Sequence, residues 1–150
     1  MTLISRRSLL LLGGVAAVGL GGFAGFTKWS APAETARTMT PPEALRAAEA
    51  GEILLIDIRR PDEWERTGVP KNALPLDMRK EEFLDELQNA RVSLSQPVAV
   101  ICARGIRSAR LTRRLEAAGI GPIVDIPEGM LGSRSGPGWL SRELPVIRVN

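Results

Sequence analysis

The only cysteine of the chain, Cys102, lies in surroundings that are typical of a reactive thiol. It directly follows an apolar run over residues 98–101, and the chain has no histidine. A free cysteine is most often a buried packing residue, whereas a reactive thiolate has cations and hydrogen-bond donors nearby. Candidate cations are three arginines that follow closely, Arg104, Arg107 and Arg110. We therefore interpret Cys102 as a nucleophile, and the lack of histidine excludes a Cys–His hydrolase.

The residues after Cys102 are suited to stabilising an anion at its sulfur. Gly105 gives the backbone access to conformations that other residues resist, so that successive amide groups can point inward as an anion nest. Ser108 is the predicted N-cap of the next helix, whose N-terminus adds about half a positive charge. The sequence thus predicts an activated thiolate that reacts with an anionic substrate.

Strands and helices alternate along the part of the chain that must position this loop. Strands covered on both faces are predicted over residues 53–57, 98–101 and 122–126, with a brief strand over 73–76. Helices are predicted from a capping box at Thr40, from Pro61, and over residues 80–90 and 108–118. This pattern predicts an α/β domain with a mainly parallel sheet flanked by helices. Cys102 follows a strand at its carboxyl end, where such sheets bind ligands.

The N-terminal residues have the layout of a targeting segment. Residues 5–10 resemble the twin-arginine signal of bacteria. An apolar, glycine-rich run follows over residues 9–26, then a processing site of the A-x-A type at 31–33. That run is also nearly long enough to remain as a membrane anchor. We predict an export signal or membrane anchor over residues 1–33, a linker over 34–39 and a domain over 40–150. The protein would be periplasmic or exported, or anchored in the inner membrane.

Charge and cysteine count exclude several classes of protein. Three of the 20 basic residues lie within residues 1–33, and the remaining 17 balance the 17 acidic residues. The domain is formally neutral, so the basic excess does not indicate nucleic-acid binding. A single cysteine cannot form an internal disulfide. Without histidine or a second cysteine, we expect no zinc or copper site.

On these residues the chain resembles the rhodanese family of sulfurtransferases, in its single-domain form. Cys102, Gly105, Arg107 and Ser108 match a six-residue loop that has glycine fourth, often arginine sixth, and then a helix beginning with serine. Residues 54–68 and 126–139 resemble two further segments of the family. Three departures stand out: Ala103 replaces the arginine that often follows the cysteine, residues 68–73 lack the usual histidine, and residues 128–139 are longer than the typical turn.

The resemblance implies a rhodanese-like domain that transfers sulfur in two steps. Cys102 would take a sulfane sulfur from an anionic, thiosulfate-like donor, and a thiol or a cyanide-like acceptor would remove it from the persulfide. The implied substrate-binding residues are Ala103, Arg104, Gly105, Ile106 and Arg107, with the guanidinium of Arg107 orienting the donor. No metal or organic cofactor is implied, and we expect a monomer with small-molecule partners and no nucleic acid.

Other readings of the same residues stay open. A persulfide carrier or a protein-binding module would keep the fold without small-molecule turnover. A cysteine phosphatase needs five residues between cysteine and arginine, whereas four separate Cys102 from Arg107, which disfavours phosphatase and arsenate reductase activity. Asp57 and Arg59 are interpreted as a structural pair. We interpret Trp64 and Trp139 as residues of the core or of the pocket wall. Arg110 is interpreted as a solvated helix residue.

Overall fold

A parallel five-stranded sheet forms the centre of the structure, a computed structural model that describes residues 37–149. The strands of this sheet and of a smaller one are β1 (Arg37–Thr38), β2 (Leu54–Asp57), β3 (Val69–Pro70), β4 (Ala73–Pro75), β5 (Val98–Ile101), β6 (Ile123–Asp125) and β7 (Val146–Ile147). The large sheet has the order β1-β6-β5-β2-β4 with all neighbours parallel, and β3 pairs with β7 antiparallel. The predicted α/β fold is confirmed, whereas the predicted targeting segment lies outside the described residues.

Five helices connect the strands of the described part of the chain: α1 (Pro41–Glu49), α2 (Pro61–Thr67), α3 (Phe83–Ala90), α4 (Ile106–Ala117) and α5 (Gly138–Ser141). The predicted capping box at the start of α1 is present, because the Thr40 amide and hydroxyl both donate to the Glu43 carboxylate, at 2.8 and 2.7 Å. Within residues 37–149, no helix has the length and apolar character needed to cross a membrane.

Both faces of the central strands are buried, which explains their unbroken apolar runs. On one face, Val98, Val100 and Ile123 pack in a cluster that includes residues of α3 and α4. On the other face, Ala99 and Ile101 pack in a cluster that includes residues of α1 and α5. The strand that leads to Cys102 is therefore fixed from both sides.

Three strands of two residues each have no counterpart in the prediction. β1 lies inside the segment interpreted as a linker, where Arg37 pairs with Val124 and Thr38 with Asp125. The Met39 amide extends this pairing by donating to the Asp125 carbonyl at 3.0 Å. Two residues are too few to show an alternating pattern. β1, β3 and β7 depend on pairing partners distant in sequence, and no local signal marks them.

A buried ion pair joins the end of β2 to α2. Asp57 and Arg59 are almost completely buried, and the Arg59 Nη2 donates to the Asp57 Oδ2 at 2.7 Å. The same guanidinium donates to the Thr67 hydroxyl and the Gly68 carbonyl, both at 2.7 Å. These contacts satisfy the charge that burial would otherwise leave unpaired. The structural role predicted for Asp57 and Arg59 is confirmed.

We expect Arg59→Met to lower the free energy of unfolding by about 3–5 kcal/mol, because it leaves the Asp57 carboxylate buried without a partner. Arg66→Met is the matched control: Arg66 pairs with Asp62 at the surface, and its loss should cost below about 1 kcal/mol. Urea denaturation of both variants measures the difference. Similar small losses for the two variants would contradict the structural role of the buried pair.

Candidate active site

Cys102 lies at the carboxyl end of β5, in the middle of the large sheet, between β6 and β2. Its side chain is buried, with 1% of its surface exposed. The Ser108 amide donates a hydrogen bond to the Cys102 Sγ at 3.4 Å, and the thiol donates to the Ser108 hydroxyl oxygen at 3.5 Å. The sulfur therefore has a backbone donor in direct contact, of the kind that favours a thiolate.

The prediction that Ser108 is the N-cap of α4 is wrong, because the helix begins two residues earlier at Ile106. Gly105 is the N-cap and has a φ of +78°, a left-handed conformation that turns the chain early. Ser108 therefore lies in the first helical turn, where its hydroxyl donates to the Gly105 carbonyl at 3.1 Å. This placement directs the Ser108 amide, one of the unpaired N–H groups of the helix start, at the sulfur.

The amide groups of the Cys102 loop, residues 102–107, remain available to a ligand. Among residues 37–149, no acceptor takes a hydrogen bond from the amides of residues 103–107. A run of unpaired amides that ends at a helix N-terminus is a site for an anion. The predicted substrate-binding residues Ala103, Arg104, Gly105, Ile106 and Arg107 contribute these five groups.

The Cys102 loop is held against the segment that follows β6. The Met130 amide donates to the Cys102 carbonyl at 2.9 Å, and the Leu131 amide donates to the Ala103 carbonyl at 2.8 Å. The two backbones approach so closely that a Cβ on Gly105 would lie 2.1 Å from the Pro127 carbonyl oxygen. A glycine is required at this position for space as well as for φ.

The segment over residues 128–139, which is longer than the typical turn of the family, is held in place by hydrogen bonds to the Glu128 side chain. The Glu128 carboxylate is buried and accepts hydrogen bonds from the Arg142 guanidinium at 2.8 and 2.9 Å and from the Gly138 amide at 3.0 Å. The Arg142 hydrogen bonds hold the pKa of Glu128 below its usual value, against the smaller opposing effect of burial. The Ser133 hydroxyl also donates to the Pro127 carbonyl at 2.7 Å. The segment therefore lies beside the Cys102 loop in a fixed conformation.

The predicted cations differ in their surroundings. Arg107 is half-buried, and its two terminal nitrogens donate to the two Glu63 carboxylate oxygens at 2.8 and 2.7 Å. Arg104 is exposed and contacts the Gly132 carbonyl at 3.5 Å. Arg110 is exposed on α4, as predicted. Only Arg107 is oriented by a carboxylate partner.

Glu63 is a site residue that the sequence analysis missed. It lies in the first turn of α2, where an acidic residue is explained by the helix dipole alone. Nothing in the local sequence indicates a partner 44 residues away. The hydrogen bonds from Arg107 are the main reason that the pKa of Glu63 falls to about 2, against the opposing effect of burial. The pair stays ionised throughout the neutral and mildly acidic range.

A pocket of about 420 Å³ adjoins this ion pair. Its lining residues are Ile58, Arg60, Glu63, Asp77, Met78, Arg79 and Arg107. The volume is in the range of pockets that hold small organic ligands.

Within residues 37–149, no group of cysteine and carboxylate side chains could hold a metal ion. Trp139 is buried in the core and Trp64 is half-buried.

The structure thus brings a buried cysteine, a loop of unpaired amides and a helix N-terminus together at the end of a parallel strand of an α/β fold. The family model described as "Rhodanese-like domain" matches residues 40–133. The chain belongs to the rhodanese-like family.

The chain is also similar to solved structures. Rv0390 from M. tuberculosis is 27% identical, with a TM-score of 0.59 over 77% of this chain and 100% of that one. The polysulfide-sulfur transferase homodimer from Wolinella succinogenes is 27% identical, with a TM-score of 0.58 over 76% and 80%. RPA3614 from Rhodopseudomonas palustris, described as a possible tyrosine phosphatase, is 21% identical, with a TM-score of 0.55 over 74% and 84%, which shows the fold alone. No curated protein matches the chain significantly.

We expect Gly105→Ala to lower the free energy of unfolding by about 1–3 kcal/mol more than Gly119→Ala, because only the first substitution overpacks its surroundings. Both glycines have a left-handed φ, but a Cβ on Gly119 would meet no atom within 4 Å. Comparing the two variants thus separates the cost of the clash with Pro127 from the cost of a left-handed φ at alanine. Equal losses in chemical denaturation would show that the approach of the Cys102 loop to Pro127 is not needed.

We expect Glu63→Gln to lower the free energy of unfolding by about 2 kcal/mol at pH 6 and by less at pH 3. The folded-state pKa of Glu63 lies below its usual value of 4.5, so the stabilisation is complete above that value and is lost as the pH falls towards about 2. Glu65→Gln, at an exposed position of the same helix, should cost below about 0.5 kcal/mol at both pH values. Urea denaturation at the two pH values tests this, and a loss independent of pH would contradict the ion pair.

Proposed function

We propose that the protein is a sulfurtransferase in which Cys102 carries a sulfane sulfur from an anionic donor to a thiophilic acceptor. The observation that carries the proposal is the hydrogen bond from the Ser108 amide to the Cys102 Sγ, beside five amides with no acceptor among the described residues. These donors suit both the thiolate that attacks and the charged outer sulfur of the persulfide. Membership of the rhodanese-like family supports sulfur transfer as the general activity.

In the first step, the Cys102 thiolate attacks the outer sulfur of a thiosulfate-like donor. A bond forms between the Sγ and that sulfur, the sulfur–sulfur bond of the donor breaks, and sulfite leaves with the electron pair. The negative charge passes to the outer sulfur of the persulfide, where the loop amides are available to it. In the second step, a nucleophilic acceptor takes the outer sulfur and returns Cys102 to the thiolate.

Arg107 orients the donor while Glu63 fixes the guanidinium. A guanidinium has five N–H groups, and the bonds to Glu63 use one on each terminal nitrogen. The remaining N–H groups suit an anionic oxygen of the donor. Because Glu63 neutralises the charge of Arg107, the loop amides supply most of the electrostatic stabilisation in this proposal.

The sulfane-sulfur chemistry has support from a relative and from the loop length. The Wolinella succinogenes relative is described as a polysulfide-sulfur transferase, which makes polysulfide a second donor to test beside thiosulfate. The short spacing from Cys102 to Arg107, together with the close contact of Gly105 to Pro127, leaves a narrow cradle that favours sulfur over a phosphoryl group. We also propose export through residues 1–33, a proposal carried by the sequence alone.

We expect thiosulfate to add one sulfur atom to the purified protein, cyanide to remove it, and Cys102→Ser to prevent the addition. Intact mass spectrometry before and after each reagent measures all three. The substitution is nearly isosteric, so the variant should stay folded. Addition of sulfur to Cys102→Ser would show that the site is wrong. No addition from thiosulfate or polysulfide, with a thiol that still reacts with an alkylating reagent, would contradict the sulfurtransferase proposal.

A further inference from the structure

An apolar rim flanks the Cys102 loop. Ile106, at the start of α4, has 70% of its surface exposed, and Leu131 has 41% exposed. Leu131 is next to the loop, because its amide donates to the Ala103 carbonyl. Two aliphatic side chains are thus exposed, one on the Cys102 loop and one on the segment that is hydrogen-bonded to it. They are the kind of side chain that a protein interface buries at its centre.

Arginines without an ion-pair partner lie on the same elements as this apolar rim. Arg104 and Arg134 lie on the Cys102 loop and on the adjoining segment, while Arg110 and Arg113 follow Ile106 along one face of α4 at positions i+4 and i+7. All four are exposed, and no carboxylate of residues 37–149 forms an ion pair with any of them. Burial raises the pKa of Asp125, and Arg113, which forms no ion pair with this carboxylate, is the smallest of the influences that lower it.

The three arginines that line the pocket beside the site, Arg60, Arg79 and Arg107, each have a carboxylate partner. Arginines with a carboxylate partner include Arg59, Arg60, Arg66, Arg79, Arg107 and Arg142. Apart from Arg107, the arginines of the Cys102 loop, of α4 and of the segment that carries Leu131 have no carboxylate partner among residues 37–149. A cationic surface of this kind attracts an acidic partner and speeds its association.

We propose that this surface, formed by Arg104, Ile106, Arg110, Arg113, Leu131 and Arg134, docks an acidic protein that presents a cysteine to Cys102. The proposal rests on the proposed sulfurtransferase function and names the partner of the same site. The apolar rim receives the residues beside the partner's cysteine, and the arginines contact acidic side chains around it. Arginine and apolar anchors are the residue types that dominate such interfaces.

The transfer step is balanced without an oxidant. The thiolate of the partner attacks the outer sulfur of the Cys102 persulfide, a new sulfur–sulfur bond forms on the partner, and the bond to the Cys102 Sγ breaks. Cys102 leaves as a thiolate, so the negative charge moves from the partner to the enzyme. Because the Cys102 side chain is only 1% exposed, the partner's cysteine must enter the loop, which requires contact with the rim.

The test uses two synthetic peptides of equal length with a central Leu-Cys-Leu, flanked in one by aspartate and glutamate and in the other by lysine. At low salt we expect the acidic peptide to discharge the persulfide about 10-fold faster than the lysine-flanked peptide. The difference should shrink at about 0.5 M NaCl, because salt screens exposed charges. The double variant Arg110→Glu, Arg113→Glu should abolish the preference. Arg46→Glu with Arg148→Glu changes the net charge equally at exposed positions outside the rim, and should retain it.

A binding experiment separates this proposal from the sulfurtransferase chemistry. Labelled peptides with serine in place of cysteine bind without any sulfur transfer, and fluorescence anisotropy measures their affinity for the unloaded protein. We expect about 10-fold tighter binding of the acidic peptide, lost in the Arg110, Arg113 double variant and kept in the control. Equal affinities for the two peptides, or a preference that survives in the double variant, would overturn the docking surface whether or not Cys102 accepts sulfur.

Discussion

The close approach of two backbones, the Cys102 loop and the segment after β6, is the constraint on which the site depends. The contact of Gly105 with the Pro127 carbonyl leaves no room for a side chain, and the hydrogen bonds from Met130 and Leu131 occupy the Cys102 and Ala103 carbonyls. The amides of residues 103–107 have no hydrogen-bond acceptor among the described residues. In this proposal the backbone amides provide the anion site, and the Arg107 side chain, held by Glu63, orients the donor there.

Helix α2 links the sheet to this loop through two ion pairs of different character. The Arg59 guanidinium joins the end of β2 to Thr67 and Gly68 at the end of α2. From the first turn of the same helix, Glu63 reaches Arg107. The first pair is buried and fixes the helix, whereas the second lies at the pocket and sets the direction of a cation. A shift of α2 would therefore be transmitted to the orientation of Arg107.

Much of the fold was predictable because it depends on local patterns, and the missed features depend on contacts between distant residues. The runs in β2, β5 and β6 and the capping box at Thr40 carry their own signals. Ser108 was misplaced because serine is a common helix N-cap, while the left-handed Gly105 starts the helix earlier. Glu63 was missed because its partner lies on another element. The candidate nucleophile could be chosen from sequence since the chain has a single cysteine.

In the proposed mechanism, the backbone amides of the Cys102 loop hold the transferred sulfur. The most direct test is a crystal structure of the thiosulfate-treated protein. We expect extra density on the Cys102 Sγ, with the outer sulfur within about 3.5 Å of at least three amide nitrogens of residues 103–107. An outer sulfur that points out of the loop, held by side chains such as Arg104 alone, would contradict it.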